Sequence, residues 1–71
     1  MKTWNLRGLS GLRADIIAKV TAAPDVPEAD RMWIIALISG IPASVSAITL
    51  DAYCTVEKNE LLFDLHIKPL F

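Results

Sequence analysis

Asp51, Cys54, Asp64 and His66 are the side chains in the C-terminal third whose types can do chemistry. A thiol beside an imidazole makes a nucleophile and base, and an imidazole among carboxylates can move a proton or hold a divalent cation. Their spacing decides which of these is open. From Ile48 the chain alternates: Ile48, Leu50, Ala52, Cys54 and Val56 are apolar, while Thr49, Asp51, Tyr53, Thr55 and Glu57 can face water, the period-two pattern of a half-buried strand. The run Leu61 to Lys68 alternates as well. With Lys58-Asn59 as a two-residue turn, the register sets Val56 opposite Leu61, Cys54 opposite Phe63, Ala52 opposite Leu65 and Leu50 opposite Ile67. The other face sets Tyr53 opposite Asp64, Asp51 opposite His66 and Thr49 opposite Lys68. Cys54 and His66 therefore point to opposite faces, and the nucleophile-base pair is excluded.

What remains for catalysis is thin. His66 beside Asp51 reads as surface electrostatics, and a metal site built from His66, Asp51 and Asp64 would have too few converging ligands. No phosphate-binding glycine loop, nucleophile elbow or pair of carboxylates at catalytic spacing is present. We expect no catalytic residue, cofactor or metal ligand, and no small-molecule substrate is evident. The one cysteine allows no intrachain disulfide and, on the hairpin's apolar face, reads as a small buried side chain, which fits a reducing compartment. No secretory signal is readable at the N-terminus, so a cytoplasmic protein is expected.

Two helices, a third segment at 43–49 that can form a helical turn, and a hairpin is an order that resembles the winged-helix topology, which would imply a DNA-binding regulator. Charge opposes that reading. The seven Lys and Arg are dispersed, and Pro42 to Tyr53, where the recognition segment would lie, holds no Arg, Lys, Asn or Gln to read bases or phosphates. Met32 to Leu50 is uncharged and would pass a hydropathy window as a membrane span, the basis for an alternative reading as a small membrane-associated protein. Gly40 and Pro42 interrupt it, Ser39, Ser44, Ser46 and Thr49 add polar groups from its middle onward, and its end overlaps the alternating strand. Neither nucleic acid nor membrane is the expected partner.

The elements that must cover the hairpin follow from the rest of the chain. Lys2 to Leu6 alternates and can add a third strand, or Asn5 can cap the first helix. Leu9, Leu12, Ile16, Val20 and Ala23 recur at steps of three and four, which predicts a helix beginning near Leu9 with Ser10 as cap. Gly11, Ala14, Ala18 and Ala22 make a strip of small residues on its other side, and Arg13 at the edge of the apolar arc reads as a snorkelling side chain. Asp25 as N-cap, Pro27 in the first turn and Glu28 at the capping-box position start a second helix, which Gly40 and Pro42 end. Met32 to Ile38 is apolar on every side, so that helix is expected to be buried all round. Residues 41–47 do not declare a conformation.

The resulting expectation is an α+β fold: residues 1–71 as a single small domain, two antiparallel helices packed on a small antiparallel sheet built on a C-terminal β-hairpin. A chain of this length buries only about 60% of its unfolded surface, yet 54% of the residues are hydrophobic and 21% charged, so apolar surface is left over for another chain. The expected function is accordingly a non-enzymatic protein-interaction module, self-associating as a homo-oligomer or capping a larger protein partner. Trp33, Ile34, Ile38, Leu70 and Phe71 are the expected contact residues.

Overall fold

The computed structural model describes residues 3–70. Strand β1 (Trp4–Asn5) and strand β2 (Leu9–Leu12) are followed by helix α1 (Arg13–Ala22), helix α2 (Glu28–Ser39), and the long strands β3 (Ala47–Glu57) and β4 (Glu60–Pro69). β3 runs through the middle of an antiparallel sheet, with β1 and β2 along one side and β4 along the other. The hairpin has the register that the alternation predicts, from Glu57 opposite Glu60 to Ile48 opposite Pro69. Its turn is formed by Lys58 and Asn59 at φ 52° and 65°, the doubly left-handed pair whose twist matches that of the flanking strands.

The N-terminal segment is a strand with one interruption. Asn5 faces Tyr53 and Leu9 faces Leu50, so Leu6, Arg7 and Gly8 oppose only Asp51 and Ala52, which is a bulge. Side chains take up the amides it frees: Arg7 N–H donates to Asn5 Oδ1 at 2.8 Å and Gly8 N–H to Asp51 Oδ1 at 2.7 Å. Gly8 sits at φ 74°, a conformation that costs any side-chain-bearing residue.

The first helix begins later than its periodicity predicts. Leu9 and Leu12 keep helical spacing with Ile16, but residues 9–12 pair with Leu50 to Ala47, and Gly11 at φ 141° cannot be helical. Ser10 is therefore in a strand, and Leu12 occupies the cap position without a side-chain hydrogen bond. Tertiary pairing outweighs local periodicity here, because an N-terminal strand satisfies backbone groups of β3 that would otherwise lie at an open edge. The second helix also starts without the predicted capping box. Pro27, not Asp25, is its cap, and Glu28 and Asp30 lie in its first turn, where the helix dipole favours negative charge. Residues 43–46 form no third helix: Val45 N–H closes a turn onto Pro42 O at 2.9 Å and β3 begins at Ala47. Among the described residues the third helix of a winged-helix order is therefore not formed.

Two arginines tie the chain at the helix ends. The Arg31 guanidinium donates to Ala23 O and Val26 O, each at 3.0 Å, where α1 ends. Arg13, expected to snorkel, instead donates to Ile41 O and Pro42 O just beyond α2. Each thus reaches from one helix to carbonyls of the chain just beyond the end of the other.

One apolar cluster holds the layers together. Ile16 and Val20 of α1, Ile34 and Ile38 of α2, and Ile48 and Leu50 of β3 are wholly buried, with Trp4, Leu6, Val26, Ala52 and Cys54 beside them. Small residues in the central strand shape this layer. Trp4, Cys54 and Phe63 lie in one row across the sheet, and strands about 4.8 Å apart put the outer two some 10 Å from each other. Because Cys54 is small, the two rings lean over it to 5.5 Å between centroids at 72°, an edge-to-face contact. Trp4 Nε1–H then donates to Asp30 Oδ2 at 3.1 Å, joining β1 to α2.

Candidate protein-interaction surface

Strand and helix rise differently along the chain, and that mismatch creates the site. At about 3.4 Å per residue β3 extends some 37 Å, whereas the two helices, at about 1.5 Å per residue, span only about 15 and 18 Å. The molecule measures 41 × 20 × 18 Å, which leaves the turn end of the hairpin projecting beyond its helical cover. β1 stops short of that end as well, since Trp4 lies opposite Cys54. The inward-facing residues near the tip are therefore only partly covered: Leu61 is 57% exposed and Phe63 39%.

The helix beside them is not buried all round. α2 sinks Ile34 and Ile38 completely and leaves Met32 63%, Trp33 48% and Leu37 39% exposed. Trp33 leans on Phe63 with ring centroids 5.1 Å apart, so helix and strand contribute to one apolar surface. Of the residues expected to make contact with another chain, Trp33 and Leu70 are accessible, Leu70 at 40% at the opposite end of β4. Ile34 and Ile38 are not: they are core residues, and their place in that contact is corrected on this ground. Phe71 lies outside the described residues. Leu61, Phe63, Met32 and Leu37 join the surface instead. Alternation places Phe63 and Leu61 on the covered face, but it reports the side of a sheet and not how far a covering layer reaches.

The chemistry-bearing residues do not assemble. His66 contacts Asp64 of its own strand, Nε2 to Oδ1 at 3.0 Å, and not Asp51, although Asp51 is its cross-strand neighbour. The carboxylate of Asp51 is engaged by the bulge. Cys54 is buried and carries no disulfide. The Arg7 guanidinium stacks over the Tyr53 ring, 4.2 Å from its centroid, on the solvent face of the sheet. Among the described residues no group of three His, Cys, Asp or Glu side chains is placed to hold a metal ion, and no helix is long and apolar enough to cross a membrane.

No protein-family model, curated protein or solved structure matches this chain. What defines the molecule is its own geometry: a small α+β domain in which a hairpin outruns its helices and carries apolar side chains past them.

Proposed function

We propose that the protein is a non-enzymatic interaction module that works by covering its exposed apolar surface with another chain, through self-association or by capping a larger protein. One observation carries the reading: Trp33 and Phe63 are in mutual contact, with Leu37 one turn along α2 from Trp33 and Leu61 on the same sheet face as Phe63, each of the four more than a third exposed. Aromatic side chains held in place by a neighbour keep little rotamer entropy to lose on binding, and they are enriched among the residues that dominate interface energies. A cytoplasmic setting, where Cys54 would stay reduced, fits this role.

The experiment is a concentration series in sedimentation equilibrium. The chain, 7.8 kDa as a monomer, should gain mass between about 1 and 100 μM, the range in which a contact of moderate affinity fills. Replacing the accessible Leu61 with Asp should suppress that gain while the far-ultraviolet circular dichroism is unchanged. Association that ignores both Leu61 and Trp33 would show that the contact lies elsewhere and would overturn the reading. A DNA-binding role would instead give duplex retention that weakens steeply with salt; no side chain in 42–53 favours it.

A further inference from the structure

The sheet has two edges, and they are unequal. The β1–β2 edge is short and interrupted by the bulge at Leu6, Arg7 and Gly8, a device that blunts strand pairing. β4 is continuous from Glu60 to Pro69 and, among the described residues, pairs only with β3. Its hydrogen-bonding direction follows from the ladder. Leu70 N–H donates inward to Ala47 O, so the even-numbered residues of β4 bond to β3, and the amides and carbonyls of Leu61, Phe63, Leu65 and Ile67 point outward without a strand partner. Pro69 also falls on the outward set, where its missing N–H takes nothing from the sheet. No proline or bulge interrupts the edge from 61 to 67.

Resting on the interaction reading above, we propose that the occupant of this edge is a second copy of the chain. The two β4 strands pair antiparallel about a two-fold axis at Leu65, joining two sheets into one. The choice of register comes from the side chains. Centring the pair on Leu65 sets Asp64 opposite the partner's His66 and His66 opposite the partner's Asp64, as non-hydrogen-bonded pairs whose side chains approach closely. The same register sets Phe63 opposite the partner's Ile67 and Leu61 opposite the partner's Pro69. The exposed tip of one hairpin thereby meets the exposed Pro69–Leu70 end of the other. Moving the axis to Asp64 would put two carboxylates face to face, and moving it to His66 would do the same for two imidazoles. With Leu65 on the axis, about eight backbone hydrogen bonds form, only the Pro69 donors being lost.

The apolar area is of the right order. A large side chain presents roughly 200 Å², so Leu37, Leu61, Phe63, Trp33 and Leu70, each exposed by 39–57%, offer about 450 Å² per copy before the strand backbone is counted. A standard interface takes about 800 Å² from each partner. The apolar side chains and the edge backbone together approach that figure, whereas either one alone falls short of it.

The test is register-specific crosslinking of the full chain. Under mild oxidation Leu65→Cys should form a disulfide-linked dimer, because two copies of residue 65 would lie about 5.5 Å apart between Cα atoms, within the range a disulfide spans. Asp64→Cys should link much more slowly, and the parent, with Cys54 buried, not at all. Since Leu65 is half-buried, a second pair of variants uses the polar side chains of His66 and Asp64, 61% and 43% exposed. His66→Asp sets carboxylates opposite one another twice and should weaken the dimer by about tenfold, and adding Asp64→Lys should restore it. Faster linking through residue 64 than 65, or a parent that stays monomeric at about 100 μM, would overturn the strand pairing. So would a dimer that responds to Leu61→Asp and Trp33→Ala but neither links at 65 nor responds to the charge exchange, and that result would leave the apolar-contact reading standing.

Discussion

Replacing Trp33 with Ala separates a residue that holds the domain together from one that meets a partner, and the structure gives the expected size of each effect. A wholly buried Trp costs about 3–5 kcal/mol on truncation to Ala. Trp33 is 48% exposed and its principal ring contact is Phe63, 5.1 Å away, so roughly half of that loss, about 2 kcal/mol, should appear in the folded monomer. A small domain with several kcal/mol of stability survives such a loss. Urea titration followed by circular dichroism at about 1 μM, where association is minor, should therefore show an intact fold with a lowered midpoint. At high concentration the effect should be larger in another quantity. An aromatic anchor at an interface is worth about 2 kcal/mol or more, so the dissociation constant from sedimentation equilibrium should rise by about 30-fold. A variant unfolded at every concentration would refute the partition, because it would make Trp33 a core residue despite its exposure. An unchanged dissociation constant would refute it from the other side.

Ile34→Ala supplies the contrast one residue along: Ile34 is wholly buried, and about 2–5 kcal/mol should be lost whatever the concentration, read as a lower urea midpoint in monomer and dimer alike. Arg31→Ala leaves Ala23 O and Val26 O without their donors and should cost about 1–3 kcal/mol by the same titration, and Lys should not rescue it, since its ammonium is a point charge and not a planar fork. Gly8→Ala should destabilise by about 1–2 kcal/mol, although a Cβ there meets no neighbour, because the cost lies in φ 74° and not in space. Lys58→Asn with Asn59→Gly supplies residues suited to φ 52° and 65°, and the melting temperature should rise by several degrees.

Local rules were enough wherever partners are close in sequence. The hairpin's turn and register were legible, the seven cross-strand pairs read from alternation all falling among the ten that form, because a two-residue loop and period-two alternation allow one register, and any slip would turn apolar side chains to water. α+β class, the Ile16–Val20 face of the first helix and the separation of Cys54 from His66 followed from periodicity in the same way. What the chain alone could not decide depends on distant segments. Leu9 to Leu12 fits a helical repeat as well as a strand, and only the open side of β3, 35 residues or more away in sequence, selects the strand. His66 has two carboxylates in reach, and it is the bulge's claim on Asp51 that leaves it with Asp64. Met32 to Ile38 carries apolar residues on every side, a pattern that says how much surface seeks cover but not which of it finds cover. The tertiary structure settled that by length: helices rising 1.5 Å per residue cannot reach the end of strands rising more than twice as fast. Leu61 and Phe63 were therefore left at the surface, while the side of α2 turned to the core buried Ile34 and Ile38 and left Trp33 half exposed.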